Sequence, residues 1–228
     1  MDKIKVFLFT LIIIIFSINM TGQNHFLGIK NGISWSNTSP PFSDNSNYRK
    51  AFNGGITYDY FFDNNLSLSC DFIYNQRGWI DEFNYIIVET QPIEKTACIK
   101  YNYNYLSFPL QIGFNFGDKL SGFANIGIIP SVLLEANIIS PSFDENGRIS
   151  NHNSIDIKKH IEKLDWATIL EAGIAYKIKN RYFLFTSFAY QRSFTNNSSN
   201  YFHNDGTKHY GIHINMGLKF ALIKNRND

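Results

Sequence analysis

The stretch Tyr210-Gly211-Ile212-His213-Ile214-Asn215-Met216-Gly217-Leu218-Lys219-Phe220 puts a large apolar side chain at every even position and a small or polar one at every odd position. Successive strand side chains point to opposite faces, so this is a strand with one apolar and one polar face. Soluble sandwiches use such strands too. Two further features decide the matter here: the chain opens with an export signal, and the same alternation recurs along its length. Together they predict an all-β protein, an eight-stranded antiparallel up-and-down transmembrane β-barrel with lipid outside and a polar interior.

The export signal begins with Lys3 and Lys5, runs through the apolar stretch Val6 to Ile18, and ends in Asn19, Thr21, Gln23 and Asn24. The apolar run is about thirteen residues, against the roughly 20 that a helix needs to cross a bilayer. Residues 1–22 are therefore read as a cleaved signal peptide and not as an anchor. The cut is placed near Gly22, although Met20 makes a poor small-residue site. No cysteine lies nearby to carry a lipid anchor. Residues 23–228 are read as the barrel domain, located in the bacterial outer membrane.

The formal net charge is +2, and removal of residues 1–22 takes away two lysines and one aspartate, leaving +1. That balance gives no case for a nucleic-acid binder. Aromatic residues make up 16% of the chain, with 13 Tyr and 21 Phe, a composition suited to the interfacial girdles of a barrel. The two cysteines are read as free thiols. Cys70 is in phase with Leu66, Leu68, Phe72 and Tyr74 on a lipid-facing series. Cys98 is expected level with residue 80 across a hairpin, roughly 33 Å from Cys70 at strand rise. A disulfide needs Cα atoms within about 7 Å.

Strands are predicted at 25–36, 48–61, 66–78, 100–116, 120–133, 165–177, 182–194 and 208–221. The strand at 100–116 offers the outward series Leu106, Phe108, Leu110, Ile112, Phe114 and Phe116. Connections carry independent information. Asp63-Asn64-Asn65, Gly117-Asp118-Lys119 and Lys179-Asn180-Arg181 are short polar turns, whereas residues 37–47, 79–99, 134–164 and 195–207 are long. Short and long alternate strictly, as periplasmic turns and external loops do in outer-membrane barrels. Aromatic residues agree: Tyr60, Phe116, Tyr176, Tyr182 and Phe220 fall near periplasmic ends, and Trp35, Tyr74, Trp166, Tyr190 and Tyr210 near external ends. Pro109 and Pro130 lie inside predicted strands, where proline removes a ladder bond. Bulges beside them are the expected remedy. Gln76 is a polar intruder in an outward series, expected above the bilayer.

The chain resembles the PorT-like family of bacterial outer-membrane proteins, with their outer membrane protein beta-barrel domain. The resemblance rests on Leu27-Gly28-Ile29-Lys30-Asn31-Gly32, Tyr105-Leu106-Ser107-Phe108-Pro109-Leu110, Phe123-Ala124-Asn125-Ile126-Gly127-Ile128 and Asn215-Met216-Gly217-Leu218-Lys219-Phe220. It covers nearly all of the mature chain and implies an eight-stranded barrel, with Pro109 as a family feature. It supplies no catalytic residues. The family's namesake is similar to a component of a protein-secretion system. This chain continues past Phe220 to Asp228, whereas many barrels stop at the terminal aromatic.

The inward series contain Lys30, Asp59, Asp71, Arg77, Asp165, Glu171, Lys177, His213 and Lys219, with Asn75, Asn125 and Asn215 among them. Eight strands leave an interior just wide enough for side chains to fill, and buried charges must be paired or hydrogen-bonded. A plug of paired groups is the expected arrangement; a narrow pore and a proton-coupled site are the alternatives. His203, His209 and His213 prompt the question of lipid-modifying catalysis. However, His209-Tyr210-Gly211 has no adjacent serine, Ser193, Ser198 and Ser199 lie in or beside a loop, and there is no Gly-x-Ser-x-Gly elbow. His152 and His160 lack the i, i+4 spacing of a zinc motif. No cofactor is expected.

The charged stretch 134–164 is read as a solvated external loop whose segment Ile155-Asp156-Ile157-Lys158-Lys159 could extend a strand. Binding residues concentrate on loops held by a rigid scaffold. The reading is a non-enzymatic barrel surrounded by outer-membrane lipid. It contacts a protein partner through external loops 79–99 and 134–164, or through its periplasmic turns. The alternatives are a secretion component, a lipid-modifying enzyme and a soluble lipocalin-type barrel, the last of which would turn its apolar series inward.

Overall fold

The computed structural model describes residues 25–39, 43–62, 64–87, 93–179, 181–196 and 207–222. Residues 1–22, read as a signal peptide, lie outside them, as do His203, Ser198 and Ser199. The strands are β1 (His25–Ser39), β2 (Ser46–Phe61), β3 (Leu66–Ile87), β4 (Ile93–Ser107), β5 (Leu110–Phe116), β6 (Leu120–Phe143), β7 (Ile149–Asp156), β8 (Leu164–Lys179), β9 (Tyr182–Ser193) and β10 (Lys208–Ala221). Each pairs antiparallel with its neighbours, and the sheet closes because β1 bonds to both β2 and β10 while β2 also bonds to β3. β4 and β5 together form one stave, and β7 pairs with β6 above the ring, so the barrel has eight staves.

Closure puts the apolar series outside. Ile29, Ile56, Ile112, Ile126, Leu170, Phe188 and Met216 are all exposed, while their chain neighbours of opposite phase are buried or half-buried. A water-soluble lipocalin-type barrel would show the reverse. The ten steps from Leu106 to Phe116 amount to roughly 34 Å at strand rise. A strand tilt of about 40° lowers this to roughly 26 Å, which matches the apolar band of about 25 Å found on such barrels. Above Leu106 the outward face turns polar. Gln76 donates to Asn104 at 3.3 Å, Asn104 to Glu135 at 3.0 Å, and Asn102 to Asn137 at 3.0 Å. These amides form a collar across β3, β4 and β6 that marks the upper limit of the lipid face.

The prolines are accommodated differently from expectation. Across Phe108-Pro109 the register is unbroken: Ile73 pairs with Ser107 and Cys70 with Leu110 on one side, and Ser107 with Ser131 and Leu110 with Ile128 on the other. Each proline simply forgoes one bond. The Asp71 N–H donates to the Pro109 carbonyl at 3.0 Å, and the Phe108 N–H to the Pro130 carbonyl at 2.9 Å; neither proline has an N–H to return. The register shift lies instead between Asn104 and Tyr105, where Leu134 is the extra residue on β6.

The long connections are less loop-like than their composition suggests. β3 and β4 stay paired up to Ile87 and Ile93, and β6 and β7 up to Phe143 and Ile149, so both hairpins extend beyond the collar. The strand at 149–156 ends before Ile157. Residues 158–160 form one 3-10 turn, and Ile157 and Ile161 on either side of it are buried. This part of 134–164 is thus a tucked-in segment and not a solvated loop. Cys70 and Cys98 are free, and Cys98 pairs with Glu82 rather than lying level with residue 80, which separates the two thiols further.

Candidate functional site: the barrel lumen

The inward charges are brought together in three layers along the barrel. Nearest the periplasm, Lys219 on β10 forms an ion pair with Asp59 on β2, which also accepts from the Ser69 hydroxyl. The ammonium of Lys219 lies 4.6 Å from the centre of the Phe185 ring. In the middle, Lys30 on β1 sits 3.1 Å from Asp71 on β3 and 2.9 Å from Glu171 on β8. Glu171 accepts further bonds from Gln111 at 3.1 Å and Ser187 at 2.6 Å, and Asn215 donates to Ser187 at 3.3 Å. The upper layer joins Arg77 on β3 to Asp165 on β8. Arg77 also reaches Ser131 at 2.9 Å, and Asp165 accepts from Ser193 at 2.9 Å and Thr195 at 2.7 Å. Two layers are charge-neutral and the middle one carries a single excess negative charge.

An apolar patch on the wall formed by β6, β8 and β9 lies between the upper pair and the middle cluster. Ile129, Ala167, Ile169 and Ala189 are all buried and in mutual contact at the intervening level. His213 is buried on β10 with Nδ1 3.4 Å from the Asn53 amide nitrogen, and Asn75 donates to Gln191 at 3.3 Å. Lys177 stands apart from all three layers. It is half-buried near the periplasmic mouth, its ammonium 6.0 Å from the centre of the Phe183 ring.

Above Arg77 the lumen closes under aromatic rings. Trp79 stacks on Tyr101 and Tyr103 with centroids 4.4 and 5.5 Å apart, and Tyr103 meets His209 edge-on at 4.9 Å. Leu133, Ala136, Ile157 and Ile161 complete this cap. The polar residues that support the charges were not singled out by sequence reasoning, yet Ser107, Ser131, Ser187 and Ser193 share the inward phase of their strands. The cap had a signal as well. In Tyr101-Asn102-Tyr103-Asn104-Tyr105 the aromatics take the inward phase and the amides the outward one, the opposite sense to Leu106–Phe116.

Free space differs sharply between the two ends. Voids beside the Lys30 cluster measure about 30 and 10 Å³; a single water needs about 10–15 Å³ by the same measure. At the periplasmic end a cavity of about 250 Å³ opens below the Asp59–Lys219 pair. Among the described residues no group of three or more His, Cys, Asp or Glu side chains is placed to hold a metal ion.

The outward apolar belt, the polar collar and the packed polar lumen define a transmembrane β-barrel. The family described as outer membrane protein beta-barrel domain matches residues 21–199, and the chain belongs to that family. It is a bacterial outer-membrane protein. The fold is similar to that of Neisserial surface protein A, with a TM-score of 0.51 at 8% identity, covering 87% of this chain and 97% of that one. The N-terminal β-barrel domain of Pseudomonas aeruginosa OprF gives a TM-score of 0.42 at 15% identity over 89% and 100% of the two chains. The outer membrane protease OmpT from Escherichia coli gives 0.45 at 10% identity over 90% and 99%. Identities this low speak to the fold alone. No curated protein sequence matches the chain.

Proposed function

We propose that this protein is a non-enzymatic, non-conducting barrel that binds a protein partner outside the cell, through the sheet that β3, β4, β6 and β7 build above the membrane. The free edge of β7 carries this reading. All eight residues of Ile149–Asp156 are exposed, and among the described residues the strand pairs only with β6. Natural edges are blunted by lysine, proline or bulges; Ile149-Ser150-Asn151-His152-Asn153-Ser154-Ile155-Asp156 has no lysine or proline, and its bulge, at Ser150, lies at the turn end and leaves Asn151–Asp156 regular. Such an edge accepts a further strand by main-chain hydrogen bonding. The Ile157 N–H points to Ala136 on β6; backbone groups of adjacent residues point to opposite edges, so Ser154, three residues back, directs its N–H away from β6.

Support for a non-enzymatic role comes from where the catalytic candidates lie. The Ser193 hydroxyl is engaged with Asp165, and His209 is buried beneath Trp79 and Tyr103. Neither combination offers a nucleophile and base to a substrate at the surface. A role in protein secretion is the second reading. It is favoured by the PorT-like motif Tyr105–Leu110 and would use the periplasmic turns.

The test is complementation of a deletion strain by a variant in which residues 141–153 are replaced by a tight turn. The variant is expected to keep heat-modifiable barrel mobility on gels and to lose activity in assays of membrane integrity and protein secretion. Full complementation by the shortened hairpin contradicts the external-sheet reading. Full complementation by barrels with altered periplasmic turns counts against the secretion reading.

A further inference from the structure

We propose that the periplasmic end of the lumen is a binding vestibule for one aromatic side chain presented by an extended periplasmic polypeptide. The cavity there measures about 250 Å³. This is below the roughly 300–1,000 Å³ of pockets that enclose drug-sized ligands, and so fits a residue-sized group. Its far end is closed by the Asp59–Lys219 ion pair, so whatever enters must come from the periplasm.

The two walls of the vestibule differ chemically. One is phenyl: Phe26, Phe61, Phe183 and Phe185. Phe26 meets Phe61 and Phe183 edge-on with centroids 4.9 and 5.1 Å apart, leaving the rings as a preformed aromatic face. The opposite wall, from β3, β5 and β6, carries the amides and hydroxyls, with Asn115 and Asn125 at its centre and Phe123 beside them. An apolar face opposite a hydrogen-bonding face suits an aromatic ring joined to a peptide group. Aromatic pairs gain stabilisation beyond their burial, and side-chain amides can both donate to and accept from a backbone.

Charge argues against other small occupants. The two charged groups at the floor neutralise each other, and the third charged lining residue, Asp118, is a carboxylate in the turn at the rim, so an anion finds no cationic partner there and the floor offers a cation none. Lys219 also holds the face of Phe185 that an incoming cation would use. Among the described residues nothing covers the inward phenylalanines of this recess, and an entering ring removes their apolar surface from water.

The experiment uses the full barrel folded in lipid nanodiscs, observed by NMR during titration with N-acetyl-phenylalaninamide. Resonances of Phe183, Phe185 and Asn115 are expected to shift saturably. N-acetyl-alaninamide is expected to bind at least tenfold more weakly. Ala175→Phe and, independently, Ser121→Phe place a ring inside the cavity and are expected to abolish the shifts while heat-modifiable mobility is retained. Equal shifts with the alanine probe overturn the proposal. So does undiminished binding to both filled variants, or saturation of the same resonances by octanoate with no response to the phenylalanine probe, which would assign the vestibule to acyl chains.

Discussion

Arg77 on β3 and Asp165 on β8 form an ion pair across the lumen, with both side chains almost wholly withdrawn from solvent. The pair ties opposite walls of the barrel together just beneath the aromatic cap. Removing one partner leaves a buried charge uncompensated, which costs about 3–5 kcal/mol. Arg77→Leu is therefore expected to destabilise the barrel by about that amount in urea unfolding from lipid vesicles. The double variant Arg77→Leu with Asp165→Leu is expected to recover most of the loss. Additive losses in the double variant would show that the two residues act independently.

The outward series predicts a strong asymmetry between adjacent positions on β10. Ile214 is exposed to lipid and His213 is buried in the lumen. Ile214→Arg is expected to cost about 2–4 kcal/mol near the bilayer midplane. Ile112→Arg, on the opposite side of the barrel, is expected to behave alike. His213→Ala loses one long hydrogen bond, worth about 1 kcal/mol. Folding yields into vesicles measure all three. A stable, water-soluble Ile214→Arg protein would refute the transmembrane assignment of β10.

Backbone geometry singles out Gly78. Its φ is +145°, and a Cβ there would run into the Tyr101 carbonyl. Its N–H and carbonyl are both held by the Ser36 hydroxyl at 2.9 Å. Gly78→Ala is expected to cost at least about 1–3 kcal/mol. Gly147→Ala, in the β6–β7 turn, shares the strain of a positive φ (+71°) but meets only ordinary contacts with Ile87, and is expected to cost less. Equal destabilisation by the two substitutions would show that the close approach at Gly78 carries no weight.

Topology is tested on intact cells. Gly147 lies at the tip of the β6–β7 hairpin, and Asp118 lies in the short turn between β5 and β6. An epitope inserted after Gly147 is expected to be reached by antibody without permeabilisation. One inserted after Asp118 is expected to need it. Surface labelling of the Asp118 insertion would invert the barrel.

Much of this architecture is legible in the sequence because a barrel wall repeats one rule, alternation with a period of two. Phe220 and Tyr182 fall at the same end because the strand pattern and the short turn at 179–181 agree. The rule fails where the environment changes along a single strand. At Tyr101–Tyr105 the chain leaves the lipid, the outward face meets water, and apolar rings become free to turn inward and cap the lumen. Alternation counted from Leu106 therefore gives the right phase and the wrong expectation of polarity. The lumen shows a similar divide. Phase alone identifies Lys30, Asp71 and Glu171 as inward, but their grouping depends on stagger between strands 41 and 141 residues apart in the chain. Lys177 has the same phase, yet stands apart at the mouth for that reason. Proline misled in the other direction: Pro109 and Pro130 each forfeit one bond without shifting register, which no local pattern announces.

The lumen is filled: three layers of charged groups, buried polar and apolar side chains between them, and an aromatic cap stand between the periplasmic vestibule and the outside. Single-channel recording of the purified, refolded protein in planar bilayers tests this most directly. A filled lumen gives a quiet baseline at moderate voltage, with no reproducible unitary openings. Large, stable, ion-selective openings of the wild-type protein would contradict it and make the lumen a pore.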